Sequence, residues 1–393
     1  MSRHPIPNGR NLSLHILTVS HFYESHGGGI ERVAGHLCRQ FADLGIDASW
    51  AASDADALPA GENGADAGYA LVPLRCINPT EKLTGLPMPI PGIRAMVALA
   101  KQIRRADAVI IHDALYVTSI MAMIMAKLLR KRTVLIQHIS EIAFSSPIPR
   151  KVMALANELV TRPMLASADA RVFISDTARH DLIGTPPRRA ATLLFNGVDR
   201  TIFHPGSSAS PTEHQPRRIL FVGRYVEKKG LAIIQTLAAA RPDLQFLLAG
   251  SGPIRPGDWQ LANVTDLGRQ SPQALARLYR EADMLLLPSV GEGYPLVIQE
   301  AMACGLPVIC GAPSDRADPG AAAWLRGVAI DLADPAGSAE RCSAAIDTHS
   351  LSATDRAEMA RYAANRYSWG AMATGLVELA RGDNLAAVRL GTA

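Results

Sequence analysis

Short runs of apolar, often β-branched residues alternate from end to end with stretches of helical periodicity. In the first half of the chain, six such runs predict strands at residues 14–20, 47–52, 108–112, 133–138, 171–175 and 191–195. Nearly continuous apolar runs of this length are typical of parallel strands that helices cover on both faces. The alternation therefore predicts an α/β fold built on parallel sheets.

One segment interrupts this pattern. Residues 205–218, PGSSASPTEHQPRR, are rich in Pro, Ser and charge and have no periodicity, which is typical of a linker. After it, predicted strands resume at residues 218–223, 244–250, 283–288, 307–310 and 328–331. A chain of 393 residues suits two domains. We predict a first domain at 1–204, a linker at 205–217, a second domain at 218–370 and a C-terminal helix at 371–393 that packs back on the first domain.

Composition narrows the function classes. Lys and Arg exceed Asp and Glu by 40 − 36 = 4 charges, a weak bias that argues against a nucleic-acid binder. The five cysteines form no CxxC pair and are predicted to be buried free thiols in a reducing compartment. The longest apolar run, 117–126, ends at Lys127 and is too short to cross a membrane. With no convincing targeting segment, we expect a cytoplasmic protein.

The first candidate binding motif is HGGGIER at residues 26–32, directly after the first strand. Gly28 and Gly29 allow close backbone approach, and the following helix presents free N–H groups at the positive end of its dipole. These features suit a phosphate, but the motif is not GxGxxG, and an ordinary flexible turn is the alternative.

The second motif is GRYVEKKG at residues 223–230, where the first strand of the second half ends. An arginine such as Arg224 can bond two phosphate oxygens at once, and a lysine adds a compact positive charge. A solvated charged turn is the alternative, but the position at a strand end favours a diphosphate clamp.

The third motif is SVGEGYPLVIQEAMACGLPVI at residues 289–309. Glu292 lies in a glycine-flanked loop, Pro295 is predicted at the first helical position, and Glu300 follows inside that helix, which Gly305 and a later proline end. Two carboxylates placed in this way can hold two ends of an elongated ligand. A helix-capping glutamate and a salt-bridged glutamate are the alternative, because an unpaired buried carboxylate is costly.

This last segment resembles the E-x7-E signature of the retaining glycosyltransferases of family 4, which have the GT-B fold. Other stretches follow in the family's order and cover most of residues 14–310: GGGIERVAGHLCRQFADLG, IHDAL, TVLIQH, VFISD, FNGVDRTIFHP, VGRYVEKKG, LAGSGP and EAMACGLPVI. The resemblance implies two doubly wound Rossmann-like domains facing an interdomain cleft. It also implies transfer of a hexosyl group from a UDP- or GDP-linked sugar to a saccharide, lipid-linked or small-molecule acceptor, in cell-surface polysaccharide or glycoconjugate synthesis.

The resemblance also implies roles for individual residues. Glu300 is similar to the residue that bonds the ribose hydroxyls, and Glu292 to the residue that contacts the sugar of the donor. Arg224 and Lys229 resemble the diphosphate clamp, and Lys229 is preferred to its neighbour because it directly precedes a glycine. His138 resembles the strand-end histidine near the anomeric carbon, so His138, Glu292, Arg224 and Lys229 form the expected catalytic set.

The remaining expected contacts to the sugar donor come from two loops. Gly28 and Gly29 resemble the glycines that approach the phosphate, and Gly293, Tyr294 and Pro295 form the loop beside the sugar. In that loop Pro295 stands where the family frequently has glycine, and the segment after residue 311 also departs from the family pattern.

Neither a metal nor another cofactor is expected. Asp54 and Asp56 form a DxD pair, the metal motif of the other large glycosyltransferase fold, but they lie in a segment with the composition of a solvated loop. The resemblance implies front-face displacement, in which the cationic clamp replaces a metal and the phosphate itself accepts the proton of the acceptor.

Two other functions remain open. A non-catalytic subunit that binds nucleotide sugar, or a nucleotide-sugar epimerase of the same fold, would share much of this pattern. A separate question concerns residues 117–132, an apolar run followed by a cluster of cationic residues. This segment is either a helix that packs on the core or a peripheral contact to the inner face of a membrane.

Overall fold

The computed structural model describes residues 14–55, 68–78, 88–139, 147–184, 190–206 and 216–383. The chain forms two compact units. The first consists of Met1–Leu135, Ser167–Ala170 and Ala373–Ala393, and the second of Ile136–Ala166 and Arg171–Met372.

The first sheet has seven strands in the order β3-β2-β1-β6-β7-β8-β9. Its strands are β1 (His15–Phe22), β2 (Asp47–Ser53), β3 (Ala70–Leu74), β6 (Ala108–His112), β7 (Arg132–Gln137), β8 (Ala170–Phe173) and β9 (Thr192–Leu193). β1 pairs in parallel with β2 on one side and with β6 on the other. Two short strands, β4 (Cys76–Ile77) and β5 (Ile90–Pro91), form a separate antiparallel pair.

Helices follow most strands of this part of the chain. They are α1 (Gly29–Asp43), α2 (Ile93–Arg105), α3 (Val117–Leu128), α4 (Pro147–Ala156), α5 (Arg162–Ser167) and α6 (Asp176–Ile183), with a π-helical stretch at Asn157–Thr161. α1 forms because its apolar residues recur at three- and four-residue steps, and Val33, Leu37 and Phe41 are fully or almost fully buried on that face. Gly45 follows the helix in a left-handed conformation.

The second sheet has six strands in the order β12-β11-β10-β13-β14-β15, and every pair is parallel. The strands are β10 (Arg217–Arg224), β11 (Leu244–Ser251), β12 (Val264–Gly268), β13 (Met284–Leu287), β14 (Val308–Gly311) and β15 (Leu325–Val328). The helices are α7 (Leu231–Ala240), α8 (Pro272–Glu281), α9 (Leu296–Ala303), α10 (Ala312–Asp315), α11 (Pro335–Thr348), α12 (Ala353–Arg366) and α13 (Trp369–Arg381). One apolar core joins the strand residues of this sheet to the helices, as Leu220, Leu285 and Ile298 illustrate.

The predicted fold class is confirmed, since both halves contain a parallel sheet interleaved with helices. The strand predicted at 328–331 is wrong: β15 ends at Val328, because Leu325 and Val328 supply the buried positions while the residues after 328 leave the sheet. The structure also adds the edge strands β3 and β12, which were not predicted. Most of the predicted linker, 207–215, and the end of the predicted C-terminal helix, 384–393, lie outside the described residues.

Candidate functional site

The chain leaves β10 and β13 in opposite directions across the second sheet. From β10 it passes through α7 to β11, and from β13 it passes through α9 to β14, although β10 and β13 are neighbours, with Ile219 paired to Met284. Ligands of open parallel sheets bind at such a reversal, at the carboxyl ends of the strands. The loops after these two strands meet there, because the Val290 N–H donates to the Lys228 carbonyl at 3.0 Å.

Opposite charges meet in these two loops. The Glu292 carboxylate lies 3.1 Å from the Lys229 ammonium and 3.6 Å from that of Lys228. The Lys229 side chain is 12% exposed, Glu292 is 16% exposed and Lys228 is 33% exposed. Arg224, at the end of β10, is exposed. The structure therefore brings together three of the predicted residues, Arg224, Lys229 and Glu292, and adds Lys228.

The electrostatics of this cluster favour an anion. Burial opposes the ionisation of Glu292, but the charges of Lys229, Lys228 and Arg224 outweigh it and hold the pKa of the carboxyl below its ordinary value. Burial, together with the charges of Lys229 and Arg224, lowers the pKa of Lys228 against the opposing effect of Glu292. Two partly buried lysines thus share one carboxylate, and the exposed Arg224 adds a third positive charge to the cluster.

Glu300 lies in α9, which starts at Leu296 directly after this loop. Its side chain is 8% exposed, and its Oε2 accepts a hydrogen bond from the Tyr279 hydroxyl at 3.0 Å. Tyr279 belongs to α8 and is itself buried. This bond holds one oxygen of the Glu300 carboxylate in the second turn of α9.

The loop from Glu292 to Pro295 is held closely by its surroundings. A Cβ at Gly293 would run into the backbone carbonyl oxygen of His138, so only glycine fits at this approach. The His138 side chain is buried, and this contact places the predicted histidine beside the predicted sugar loop. Pro295 is the N-cap of α9 and not its first helical residue, which corrects the predicted helix start by one position.

The side chain of Tyr294 points into the core of the second unit. Its ring is buried, and its hydroxyl lies 2.8 Å from that of Tyr367. A contact of Tyr294 with a sugar donor therefore rests on its backbone and stays a prediction.

The glycine-rich segment of the first unit has a different environment. A Cβ at Gly28 would meet the carboxylate of Glu31, whereas a Cβ at Gly29 would meet nothing within 4 Å. Glu31 is buried and pairs with His21 Nε2 at 2.8 Å. The His21 ring stacks on Tyr116 with 3.6 Å between ring centroids. The space beside Gly28 is thus filled by the protein, and the open approach to the start of α1 is at Gly29.

The predicted alternatives outside these regions are also located. Asp54 is exposed and accepts a hydrogen bond from the Cys76 N–H, while Asp56 lies outside the described residues. Across the described part of the chain, no three His, Cys, Asp or Glu side chains form a cluster that could hold a metal ion. All five cysteines are free thiols, and all except the half-buried Cys76 are buried.

Residues 117–132 form α3 and the start of β7. α3 buries Ala122, Met123 and Ala126 in the core, whereas Ile124 and Leu128 are 50% and 78% exposed. One face packs as the core-helix alternative expects, and an apolar remainder stays on the surface next to Lys127. Among the described residues, no helix combines the length and the hydropathy that crossing a membrane would need.

Three further groups, to which the sequence assigns no role, accompany the predicted residues of the second sheet. Lys228 was set aside in favour of its neighbour, although both contact Glu292. Tyr279 gave no signal because its partner Glu300 is far away in sequence. Ser289, two residues after β13, is buried and its Oγ has no hydrogen-bond partner among the residues described. Its place at a strand end is the sequence signal for it, but the sequence assigns it no role.

Two family models match the chain. One, described as Glycosyltransferase Family 4, matches residues 27–202, and the other, described as Glycosyl transferases group 1, matches residues 216–347. The first therefore contains the glycine-rich segment and His138, and the second contains the cationic loop, Glu292 and Glu300.

Curated relatives match over a shorter stretch. The D-inositol 3-phosphate glycosyltransferase of Segniliparus rotundus is 34% identical over 206 residues, which cover 46% of this chain and 44% of the relative. The protein of the same name from Mycolicibacterium vanbaalenii is 36% identical over 146 residues, which cover 30% of this chain and 32% of the relative. The chain spans less than half the length of the curated relatives that it matches.

Solved structures match over nearly the whole chain. Sucrose-phosphate synthase from Thermosynechococcus elongatus superimposes with a TM-score of 0.69 at 19% identity, covering 94% of this chain and 98% of the other. HepE from Anabaena, solved in complex with UDP, gives a TM-score of 0.65 at 15% identity, covering 94% and 100%. At these identities the likeness concerns the fold. With two Rossmann-like parallel sheets and with a family model matching each half, the chain belongs to glycosyltransferase family 4 and has the GT-B fold.

Proposed function

We propose that this protein is a retaining, metal-independent glycosyltransferase. It moves a hexosyl group from a UDP- or GDP-linked sugar to a saccharide, lipid-linked or small-molecule acceptor. The single observation that carries the proposal is the cluster at the β10–β13 reversal, where Lys228 and Lys229 share the carboxylate of Glu292 and the charge of Arg224 also acts on it. An excess of partly buried positive charge is costly unless an anion completes it, and a diphosphate supplies that anion.

The roles follow from where charge develops in the reaction. When the bond to the sugar breaks, negative charge grows on the leaving diphosphate. Arg224 and Lys229 stabilise that charge, and donors fixed in advance are usually the largest contribution to such catalysis. Because this cluster is already cationic, the proposed reaction needs no divalent metal.

Two carboxylates orient the rest of the sugar donor. Glu300, fixed by the Tyr279 hydroxyl, bonds the ribose hydroxyls of the nucleotide. Glu292, held by the two lysines, accepts hydrogen bonds from the hydroxyls of the sugar. His138, whose carbonyl oxygen closely approaches Gly293, acts on the sugar side of the reaction. In the proposed retaining reaction the acceptor attacks on the face that the diphosphate leaves, and the phosphate takes its proton.

The acceptor and the setting belong to the same proposal. Relatives named as inositol-phosphate glycosyltransferases support a small polar acceptor. The proposed glycosyltransferase acts in the cytoplasm, where it contributes to the synthesis of cell-surface polysaccharides or glycoconjugates. A peripheral contact through Ile124, Leu128 and Lys127 would serve a lipid-linked acceptor. Flotation with anionic vesicles tests this contact: binding that Leu128→Ser weakens supports it, and no binding removes it.

Release of nucleoside diphosphate tests the proposed activity. The protein is incubated with UDP- or GDP-sugars in excess EDTA, with and without a panel of polyol, saccharide and lipid-linked acceptors. A transferase releases nucleoside diphosphate when the right acceptor is present. An epimerase converts the sugar donor without a sugar acceptor, and a binding subunit releases nothing. The anomeric configuration of the product, read by NMR coupling constants, decides whether the configuration is retained.

A further inference from the structure

A chain of buried hydroxyls leads away from the loop that follows Glu292. The Tyr294 hydroxyl lies 2.8 Å from the Tyr367 hydroxyl, and the Tyr367 hydroxyl donates to Asp318 Oδ2 at 2.9 Å. All three side chains are buried, and they come from three separate parts of the second unit: the loop before α9, the end of α12 and the segment after α10.

The direction of this chain follows from its last member. A carboxylate only accepts hydrogen bonds, so Tyr367 donates to Asp318, and Tyr294 must then donate to the oxygen of Tyr367. Burial raises the pKa of both tyrosines well above its ordinary value, so both hydroxyls keep their protons. The other oxygen of Asp318 accepts the Gly320 N–H at 3.1 Å, which fixes the carboxylate in turn.

The loop is held in a different way at each residue. Glu292 pairs with the lysines, Gly293 lies against the carbonyl oxygen of His138, and Pro295 is the N-cap of α9. Tyr294 is the position where the loop is anchored through a side chain in the core. Its ring also packs edge-on against the rings of Phe195 and Tyr367. The ring therefore packs in the core, and the hydrogen bond of its hydroxyl determines how far the side chain extends into it.

We propose that Tyr367 and Asp318 are positioning residues for the sugar-donor site. The hydrogen-bond chain from Tyr294 to Tyr367 to Asp318 holds the backbone of residues 292–295, and thereby the Glu292 carboxylate and the first N–H groups of α9, where the sugar diphosphate binds. This inference rests on the proposed function. Neither Tyr367 nor Asp318 touches the substrate, and they act through the loop.

A matched control lies in the same cluster. The Tyr362 hydroxyl donates to the same oxygen of Asp318 at 2.8 Å, but this bond lies outside the chain that starts at Tyr294. Tyr362→Phe and Tyr367→Phe each remove one hydroxyl that donates to Asp318, and each keeps the aromatic ring. A purely structural role of the cluster predicts similar effects of the two substitutions. A positioning role predicts that only Tyr367→Phe disturbs the loop.

Two measurements on the full chain test the proposal. The first is hydrogen exchange, read by mass spectrometry, of the peptide that covers residues 289–300 in the unliganded protein. Tyr367→Phe should speed this exchange about tenfold relative to wild type, the size expected for one hydrogen bond, and Tyr362→Phe should change it less than twofold. The second is steady-state kinetics, in which Tyr367→Phe should lower kcat about tenfold with a smaller effect on the KM of the sugar donor, and Tyr362→Phe should keep kcat within twofold.

Tyr294→Phe removes the first hydroxyl of the chain and should reproduce both effects, which keeps the test valid if Tyr367→Phe does not fold. Equal exchange in the Tyr362 and Tyr367 variants overturns the inference, and so does faster exchange without loss of kcat. In either case an active wild type leaves the proposed function intact. A wild type that releases no nucleoside diphosphate with any acceptor refutes the proposed function instead, and the positioning role falls with it, whatever the exchange measurement shows.

Discussion

In each parallel sheet, the chain leaves two neighbouring central strands toward opposite edges of the sheet. The side chains at these two topological reversals differ in their chemistry. In the first sheet the reversal lies between β1 and β6, where His21 pairs with Glu31 and stacks on Tyr116. In the second it lies between β10 and β13, where two lysines share Glu292. The first pair is almost fully buried and its carboxylate has its partner within the protein, whereas the second cluster is partly exposed and has more cationic than anionic side chains. Topology therefore marks both places as candidate sites, and the local charge balance distinguishes them.

The largest expected effect is a loss of kcat when a cationic side chain at the β10–β13 reversal is removed. Lys229→Ala should lower kcat roughly 100-fold or more, since losing one fixed donor to a developing charge costs about 2.7–4 kcal/mol of barrier. Steady-state kinetics with saturating acceptor measures it. Lys228→Ala is the matched control and should cost less than tenfold, because Lys228 is more exposed and farther from Glu292. Equal losses in the two variants would contradict the preference for Lys229.

The next effect concerns nucleotide affinity. Glu300→Ala should weaken binding of the bare nucleoside diphosphate by about 1.5–3 kcal/mol, through loss of charge-assisted bonds to the ribose. That energy is about 10- to 150-fold in affinity by calorimetry. Tyr279→Phe, which removes the bond that fixes Glu300, should have a smaller effect in the same direction. A folded Glu300 variant with unchanged affinity would remove Glu300 from the ribose role.

The two glycines before α1 give a matched pair at the first reversal. Gly28→Ala should destabilise the protein by about 1–3 kcal/mol, because the added methyl group meets the Glu31 carboxylate. Gly29→Ala meets open space and should keep the unfolding temperature. If Gly29 is where the backbone approaches a phosphate, the same variant should raise the KM for the sugar donor. Unchanged kinetics in Gly29→Ala would leave the segment as an ordinary turn.

The buried pair of Glu31 and His21 should contribute to the pH dependence of the unfolding free energy. Burial opposes ionisation of Glu31, but the hydrogen bond and charge of His21 outweigh it and lower the pKa of the carboxyl below 4.5. A lowered pKa in the folded state stabilises the protein above the ordinary value of 4.5, and this contribution is lost as the pH falls through the folded value. Glu31→Gln should therefore flatten the acid limb of the unfolding free energy below the ordinary pKa of 4.5. An unchanged acid limb would show that the pair contributes little.

The smallest effect is expected from metal removal. Because the cationic cluster at β10 and β13 supplies positive charge, turnover in excess EDTA should equal turnover in Mg²⁺ or Mn²⁺ within about twofold, whereas a required metal typically lowers the barrier by several kcal/mol. Complete loss of turnover that either metal restores would refute the proposed leaving-group chemistry.

Helix ends and strand ends could be predicted from the sequence where neighbouring residues alone determine the backbone conformation. The helix that carries Glu300 ends as predicted, with Gly305 in a left-handed conformation, because glycine is favoured there for a local reason. The strand-end rule also places Arg224 at the end of β10, where the structure has it, while its role as a phosphate ligand stays a prediction. The edge strand β12 is not predicted because two of its five residues are exposed, none is buried, and its apolar alternation is weak.

Other features depend on partners that are distant in sequence. Glu31, which pairs with His21, occupies the space beside Gly28 that the predicted phosphate loop would leave open. The motif HGGGIER alone does not indicate this, because His21 lies outside it. The motif predicts that Tyr294 contacts the sugar donor. In the structure its side chain is buried in the core, where its hydroxyl bonds to Tyr367, which in turn donates to Asp318. Such contacts arise only when the fold brings separate segments together, so the residues that support a site are harder to predict than the residues that form it.

Calorimetric titration of nucleoside diphosphate tests most directly whether the second reversal is the binding site. UDP and GDP are titrated in EDTA into wild type, into Lys229→Ala combined with Glu300→Ala, and into Glu31→Gln. We expect saturable binding to wild type and retention of that affinity in the folded Glu31 variant. The double variant should lose at least about 100-fold, because it removes both a phosphate cation and the ribose carboxylate. Wild-type affinity in a folded double variant, or loss of binding only in the Glu31 variant, would contradict this expectation.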